Sequence, residues 1–354
     1  MPSEFDFIRE IQQKAAAQSA ADLVLGIGDD AAIWREQSGR ESLITVDLLV
    51  EDVDFKLEYA PPRWLGHKAL AVSLSDIAAM GAAPKFSLLT LAIPQSAIRN
   101  PQFWQEFFEG YFELAAKHGV ALIGGDISSA PDRLTIDSVV IGHCQTGKAV
   151  RRDGAKIGNA IYVAGSIGAS AVGLKLLLGG ERVGDDVRSS AFRRSRLQPP
   201  KGGTTNAIQS AIRAHLKPEP RVEFGRRLGE LGLVSSMIDV SDGLAQDLSH
   251  ICEASSVGAL IEFEAVPIAG EVGLILSNAD EAFEFAVSGG EDFELLFTAD
   301  QNREAELMAL AGECQLRLTR IGEVVERSLP VAVLIQRDGK VKHLSIRGYD
   351  HFGV

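Results

Sequence analysis

The sequence predicts a mixed α/β (α+β) fold with two domains, and three observations support this. At 354 residues the chain exceeds the usual size of a single hydrophobic core. Apolar runs of strand length alternate with helical segments in both halves, which argues against an all-β sandwich. A charged, glycine-bearing stretch near residue 146 separates the halves, so we expect domains at 1–145 and 146–354.

Apolar periodicity predicts the elements of the first half. The segment 42–50 is a strand that leads into an aspartate, and 66–81 is a helix with small and apolar residues on most sides, which is typical of burial. Residues 133–144 alternate in part and form a further strand. We also predict two buried strands and the helix between them: "FSLLTLAIP", "NPQFWQEFFEGYFELAAKHG" and "VALIGGD".

The second half continues the alternation after the strand "AIYVAG" and the helix "GASAVGLKLLLGG". Residues 181–205 are polar and rich in proline and glycine, so we predict a surface insertion there. The remaining predictions are helices at 205–216, 221–232 and 302–311, the helix "DGLAQDLSHICEAS", the strands "SSMIDV", "GALIEFE" and "FELLFTA", and a hairpin in "LPVAVLIQRDGKVKHLS".

Composition excludes several classes of function. The net charge of −13 argues against nucleic-acid binding, which needs a basic face. Cys144, Cys252 and Cys314 are scattered and have no metal-ligand spacing, which favours a cytoplasmic protein without disulfides. No apolar run reaches the roughly 20 residues of a membrane span, and "MPSEFDFIRE" lacks the apolar core of a signal peptide.

Acidic residues within or just after apolar runs, several of them near glycines, are the main functional signal. They are Asp29, Asp30, Asp47, Asp76, Asp126, Asp239, Asp242, Glu291 and Asp292. Buried carboxylates need cations or hydrogen-bond donors, and lysine and arginine are scarce in these stretches. Mg²⁺ suits such oxygen ligands, and the glycines let backbone N–H groups approach phosphate oxygens.

Other chemistries fit less well. Glycine and aspartate are common turn residues, so one isolated "GGD" would indicate only a turn. Six places in one chain where carboxylates accompany glycines or apolar runs favour a metal and phosphate site instead. The chain has neither the Walker A pattern nor the H-R-D of protein kinases, and "GIGDDA" lacks the third glycine of a dinucleotide fingerprint. The histidines show no zinc spacing, and the serine of "IDVSDG" is not in a G-x-S-x-G context.

A family resemblance rests on seven motifs that span nearly the whole chain in order. They are "GIGDDAA", "HKALAVSLSDIAAMGAAP", "LIGGD", "RRDGAKIGN", "IDVSDGLAQDL", "SGGEDFELLF" and "GYDHF". With them the chain resembles the bacterial thiamine-monophosphate kinase family, in the superfamily of aminoimidazole ribonucleotide synthetase and selenophosphate synthetase. The resemblance implies direct in-line transfer of phosphate from ATP to thiamine monophosphate, assisted by several Mg²⁺ ions. It also implies an ATP cleft between the domains and a homodimer that pairs its N-terminal sheets.

The resemblance also assigns roles to individual residues. The metal-linked positions are Asp30, Thr45, Val46 (through its carbonyl), Asp47, Asp76, Asp126, Asp239 and Asp242. The nucleotide contacts are Gly125, Asp126, Arg152 and Ser241, and the acceptor contacts are Asp54, Glu291 and Phe352. Asp47, Asp126 and Arg152 are expected to be catalytic. Two positions depart from the family pattern: Asp54, where many relatives carry histidine, and Ala169, where relatives often carry aspartate.

Chemistry from the residues fits this assignment and leaves alternatives open. A phosphate monoester has a second pKa of about 6, so the acceptor is largely dianionic at neutral pH and needs no strong general base. The alternatives are a superfamily enzyme that acts on another phosphorylated acceptor, such as formylglycinamidine ribonucleotide, and a non-catalytic nucleotide-binding relative. A third is an α/β protein whose acidic turns are only turns.

Overall fold

Two mixed β-sheets organise the chain. The computed structural model describes residues 23–25, 29, 32–35, 39–94, 100–183, 205–276, 278–327 and 333–344. The predicted site residues Asp30 and Phe352, the "GYDHF" motif and residues 184–204 of the predicted insertion lie outside these ranges. None of the helices in the described ranges is both long and apolar enough to cross a membrane.

The first sheet has six strands in the order β1-β2-β3-β6-β4-β5. They are β1 (Leu23–Leu25), β2 (Ala32–Arg35), β3 (Arg40–Val50), β4 (Ala83–Pro94), β5 (Ala121–Ala130) and β6 (Thr135–Gln145). Neighbouring strands are antiparallel except for the parallel pair β4 and β5. Helix α1 (Pro62–Ala79) packs on β3 and β6, and helix α2 (Pro101–His118) packs on α1.

Two glycines bring α1 and α2 into close contact. A Cβ on Gly66 of α1 would lie 1.8 Å from the carbonyl oxygen of Phe107, and one on Gly110 of α2 would lie 1.8 Å from that of Arg63. Because no larger side chain fits at either crossing point, glycine sets the distance between the helices. α1 is buried on nearly all sides, as its small and apolar residues predicted.

The second sheet has seven strands in the order β13-β12-β9-β11-β7-β10-β8. They are β7 (Ala160–Ala164), β8 (Ser236–Asp239), β9 (Gly258–Glu262), β10 (Leu295–Ala299), β11 (Leu318–Val325), β12 (Val333–Arg337) and β13 (Lys340–His343). The helices are α3 (Ala169–Leu178), α4 (Thr205–Leu216), α5 (Val222–Leu231), α6 (Leu244–Ser255), α7 (Gly270–Ile275), α8 (Ala279–Ser288) and α9 (Glu304–Glu313).

The structure confirms the mixed α/β class and each predicted strand and helix named above, but it corrects two expectations. β5 was predicted as a buried strand, whereas it lies at the sheet edge with most residues exposed; Ile127 is 69% exposed. "LITVDLLV" has little polar protection for an edge and for that reason suggests an edge strand able to pair with a second copy, whereas β3 is hydrogen-bonded to β2 on one side and to β6 on the other. β1, β2, β11, α7 and α8 were not predicted.

The two halves share a hydrophobic cluster. Tyr59, Ala60 and Trp64, from the start of α1 and the loop before it, pack with buried residues of α3, α4 and α7. α1 also contacts α5 and β8. Since α1 is covered by elements of both halves, polar residues on this helix lie between the two sheets.

Candidate active site

Helix α1 collects oxygen atoms from both sheets at its C-terminal end. The hydroxyl of Thr45 on β3 donates a hydrogen bond to the carboxylate of Asp76. The hydroxyl of Ser75 donates to Oδ2 of Asp239, at the end of β8, over 2.6 Å. The adjacent residues Ser75 and Asp76 therefore bring two of the predicted metal-linked positions, Thr45 and Asp239, to the same part of the molecule.

Asp47 lies two residues after Thr45 on β3, and side chains two apart on a strand share a face. That face is covered by α1: Asp47 is in register with Ser138 of β6, whose carbonyl accepts a hydrogen bond from Ser73 of α1. Val46, between them, is exposed on the opposite face. Only its backbone carbonyl is therefore available to the predicted site.

A second acidic group follows β8. Asp247, buried in the first turns of α6, accepts hydrogen bonds from the backbone N–H groups of Asp242 (3.2 Å) and Gly243 (3.1 Å). Burial raises the pKa of Asp247 well above its usual value, and the nearby carboxylates of Asp242 and Asp239 add to this. Carboxylates are therefore crowded at this end of the sheet.

Two residues of this group were not predicted as site residues. Asp247 and His250 lie with Asp242 so that one ligand atom from each falls within 4.8 Å of the others. Burial lowers the pKa of His250 to about 4, so its imidazole is neutral at pH 7. The signal for Asp247 was present in "SDGLAQDL", but the periodicity of that segment indicated only a helix.

Arg152 lies beside the same carboxylates. It begins a short 3-10 turn, and its backbone N–H donates to Oδ2 of Asp29 over 3.0 Å. Its Nε lies 3.4 Å from Oδ1 of Asp29. The guanidinium also opposes the rise in the pKa of Asp247, which places it within electrostatic reach of the group after β8.

The donor set fits a hard divalent cation. The residues assembled around α1 and the end of β8 offer carboxylate and hydroxyl oxygens from Thr45, Asp47, Asp76, Asp239 and Asp242. Mg²⁺ prefers such oxygen ligands, and the carboxylates of Asp242 and Asp239 add to the rise that burial causes in the pKa of Asp247, a crowding of negative charge that a cation would offset.

Gly125 and Asp126 are placed less centrally. Gly125 has φ of 147°, and a Cβ there would lie 1.9 Å from the carbonyl oxygen of Leu89, so only glycine fits. Asp126 is exposed on β5, in register with Thr90. Among the described residues, no hydrogen bond or ion pair joins Asp126 to the carboxylates around α1.

Glu291 is held by residues from both halves of the chain. Its backbone N–H donates to the carbonyl of Ser241 over 2.7 Å. Its Oε1 lies 2.8 Å from Nζ of Lys68 on α1, and its Oε2 lies 3.0 Å from Nδ1 of His215 on α4. Burial alone would raise the pKa of Glu291, but Lys68 and His215 outweigh it and hold the pKa at about 2.

Asp54 has a local structural contact. Its Oδ2 accepts a hydrogen bond from the backbone N–H of Val50 over 2.7 Å, and its own N–H donates to the carbonyl of Val50. The side chain therefore closes the turn that follows β3, which is a common use of aspartate. The described contacts place Asp54 in this turn and give no further sign of an acceptor contact.

Family models match both halves of the chain. The N-terminal domain model of the AIR synthase related proteins matches residues 28–144, and the C-terminal domain model of the same family matches residues 156–334. The two matches together cover well over half of the sequence.

Individual relatives align over nearly the full length. The chain is 38% identical to thiamine-monophosphate kinase of Bacillus subtilis (strain 168), over 99% of each chain, and 35% identical to that of Escherichia coli (strain K12), over 94% of each. The crystal structure of thiamine-monophosphate kinase from Stenotrophomonas maltophilia K279a matches with a TM-score of 0.74 and 34% identity over 95% of each chain. The structure of AaThiL complexed with AMPPCP and TMP matches with a TM-score of 0.79 and 28% identity, over 99% of this chain and 97% of that one.

Proposed function

The chain belongs to the AIR synthase related family and, within it, to the thiamine-monophosphate kinases, and we propose that it phosphorylates thiamine monophosphate with ATP to give thiamine diphosphate. The observation that carries the proposal is the set of oxygen ligands that α1 assembles from both sheets through Thr45, Asp76, Ser75 and Asp239. The complex of AaThiL with AMPPCP and TMP supports the choice of both substrates.

The proposed reaction is a direct in-line transfer. The acceptor phosphate has a second pKa of about 6, so its attacking oxygen carries charge at neutral pH without a general base. The site must therefore bring two polyanions together rather than remove a proton. Several bound Mg²⁺ ions would neutralise phosphate oxygens and align donor and acceptor. Thr45, Asp47, Asp76, Asp239 and Asp242 would hold them.

The remaining assignments complete this proposal. The carbonyl of Val46 and the carboxylates of Asp30 and Asp126 stay in the proposed metal set on the strength of the resemblance. Arg152 would pair with phosphate oxygens, for which a guanidinium beside the acidic group is well suited. Gly125, Asp126 and Ser241 would contact the nucleotide, and Glu291, Asp54 and Phe352 the acceptor.

We also propose that the chain has two domains, 1–145 and 146–354, and that it is located in the cytoplasm. We further propose a homodimer that forms through the first sheet. The support for the dimer is a set of large apolar side chains that the first sheet leaves exposed: Val46, Leu48, Ile123 and Ile127. They lie on β3 and on the edge strand β5. The edge strands among the described strands of this sheet are β1 and β5 rather than β3, which corrects the expected edge without changing the sheet involved.

The experiment that tests the function is incubation with ATP, Mg²⁺ and thiamine monophosphate, followed by mass identification of the product. A product one phosphate heavier than the acceptor, with ADP in equal amount, is the expected result. Parallel incubation with formylglycinamidine ribonucleotide tests the alternative acceptor. Binding of ATP without turnover of either acceptor would instead identify a non-catalytic relative.

A further inference from the structure

Lys68 is a fully buried cation on α1, with 1% of its surface exposed. Burying an ammonium group is costly, and its ion pair with Oε1 of Glu291 at 2.8 Å offsets that cost without making the pair a strong source of stability. A methionine would fill the same space on α1 at no electrostatic cost. The lysine is therefore explained better by what it does to Glu291 than by the packing of the helix.

His215 completes the arrangement from the other side. Its Nδ1 lies 3.0 Å from Oε2 of Glu291 and 3.1 Å from the hydroxyl of Ser170. Burial, and then the charge of Lys68, lower the pKa of His215, so the imidazole is neutral at pH 7. A neutral His215 donates to Glu291 when Nδ1 carries its proton. With that tautomer, Oε2 of Glu291 has His215 as its donor, and Oε1 has the ammonium group of Lys68 at ion-pair distance.

The backbone around Glu291 is fixed as firmly as its side chain. Glu291 has φ of 63°, a left-handed conformation that is unfavourable for a residue with a side chain. The hydrogen bond from its N–H to Ser241 and the bond from Phe293 N–H to the carbonyl of Val240 (2.8 Å) hold this conformation. The carboxylate of Asp292 accepts from the backbone N–H groups of Gly168 (2.6 Å) and Ser170 (3.1 Å) at the start of α3.

The side chain of Glu291 nevertheless stays 30% exposed. A carboxylate has about four acceptor positions, and Lys68 and His215 use two of them. The three side chains together carry no net charge at neutral pH, since Lys68 offsets Glu291 and His215 is neutral. The group therefore presents oriented acceptor oxygens rather than an uncompensated negative charge.

We propose that Lys68 and His215 are positioning residues for acceptor recognition: they fix the Glu291 carboxylate so that its remaining lone pairs accept hydrogen bonds from an amino-substituted heterocycle. This inference rests on the proposed function, because the contact between Glu291 and the acceptor is part of that proposal. Lys68 comes from the first half of the chain, and Glu291 and His215 from the second. Acceptor binding thus depends on a side-chain group that spans the two halves.

A double-mutant cycle tests whether Lys68 acts through Glu291. Lys68→Met is expected to raise the KM for thiamine monophosphate roughly tenfold and to leave the KM for ATP within about twofold. In a Glu291→Gln background, Lys68→Met should not raise the acceptor KM further. In the wild-type background, Lys68→Arg keeps a cation beside Glu291 and should raise the acceptor KM less than Lys68→Met does. Arg221→Met, which breaks another, partly buried ion pair (with Glu294), is the matched control; it should lower stability without selecting between the substrates.

His215 gives a second test that does not depend on the lysine variant folding. In His215→Asn the amide nitrogen takes the place of Nδ1 and keeps a donor for Glu291, so the acceptor KM should change little. His215→Leu removes the donor and should raise the acceptor KM selectively. Equal effects of the two variants would overturn the role of His215.

A pH series adds a readout that a purely structural role would not move. The titratable groups within electrostatic reach of Glu291 are Lys68, His215, Tyr59 and Asp292. Without Lys68 the pKa of Glu291 should rise, so the ratio of variant to wild-type acceptor KM should grow as the pH falls from 8 to 5. The ratio cancels the titration of the substrate's own phosphate.

The outcomes separate the two proposals. A wild-type enzyme that makes no thiamine diphosphate overturns the proposed function and this inference with it. An active wild type whose Lys68→Met variant raises both KM values together overturns this inference alone. This inference alone is also overturned if Lys68→Met raises the acceptor KM as much in the Glu291→Gln background as in the wild type. The same holds if the ratio of variant to wild-type acceptor KM does not change with pH.

Discussion

Ser75 on α1 and Asp239 at the end of β8 are joined by a hydrogen bond of 2.6 Å, although they lie 164 residues apart in the sequence. Asp239 is almost fully buried and belongs to the second sheet, whereas the next residue on the helix, Asp76, is bonded to Thr45 of the first. One turn of a buried helix therefore aligns ligands from both halves. A small movement between the sheets would separate the proposed metal ligands, so the packing of α1 is part of the site.

Neutralising a metal-linked carboxylate should abolish turnover without harming the fold. We expect Asp47→Asn and Asp239→Asn each to lower kcat by roughly 100-fold or more. Without Mg²⁺ the melting temperature of Asp239→Asn should stay equal or rise, because one of the charges crowding Asp247 is removed. Steady-state kinetics at moderate Mg²⁺ and thermal unfolding without Mg²⁺ measure both effects. Near-normal turnover in the two variants would contradict the metal assignment.

Removing the hydroxyl of Ser75 should have a milder, metal-dependent effect. Ser75→Ala leaves the charge of Asp239 in place but removes the bond that orients it. We expect the Mg²⁺ concentration needed for half-maximal activity to rise roughly 10-fold, because losing a residue that hydrogen-bonds a metal ligand commonly weakens metal binding by about that factor. Ser73→Ala, two residues earlier, removes a bond to the carbonyl of Ser138 instead and is the control. An equal change in both variants would indicate a general loosening of α1.

The neighbouring glycines of "IGGD" should differ sharply in their tolerance of alanine. A Cβ at Gly125 would meet backbone at 1.9 Å, whereas one at Gly124 would meet only the side chain of Leu88, at 3.4 Å. Gly125 also has a positive φ of 147°. We therefore expect Gly125→Ala to lower the free energy of unfolding by several-fold more than Gly124→Ala. Chemical denaturation of both variants checks this, and similar losses would mean that β5 is not held as described.

The sequence predicted the elements well where a single segment carries the signal. α1 could be predicted because its small and apolar residues occupy most sides of a helix, and the hairpin of β12 and β13 because "RDGK" separates two strand-like runs. The burial of β5 could not, because an apolar strand pattern does not reveal whether a further layer covers it.

The site residues likewise fall into those that the sequence indicated and those that only the fold brings together. Aspartates beside glycines were visible in the sequence, since they interrupt apolar runs. Lys68 and His215 were not, because a lysine in one predicted helix and a histidine in another show no pattern until the fold brings both to Glu291. Asp54 shows the reverse situation: the resemblance predicts an acceptor contact, and the structure adds a hydrogen bond from Val50 N–H that closes the turn after β3, which the sequence alone did not indicate.

Two substitutions separate these roles for Asp54. Asp54→Asn keeps an oxygen that can accept from Val50 N–H and should leave the melting temperature nearly unchanged. Asp54→Ala should lower the free energy of unfolding by about 1 kcal/mol, as for other lost caps of backbone N–H groups. If Asp54 only closes the turn, neither variant changes the acceptor KM in particular. A selective rise of that KM in Asp54→Asn would instead assign the carboxylate to acceptor binding.

A charge on the outer face of the first sheet should separate the proposed dimer. Leu48 of β3 is 57% exposed, and apolar side chains on β3 and β5 accompany it. Exposed apolar groups of this kind mark interfaces when they recur on one sheet, and a buried glutamate there would be desolvated without a partner. We therefore expect Leu48→Glu to convert a dimer of the wild-type chain to a monomer in light scattering at assay concentration. Val341→Glu changes a residue of similar exposure (53%) on β13 of the second sheet and should leave the dimer intact. A monomeric wild type would remove the dimer proposal, and dissociation by both variants would show that the first sheet is not its specific interface.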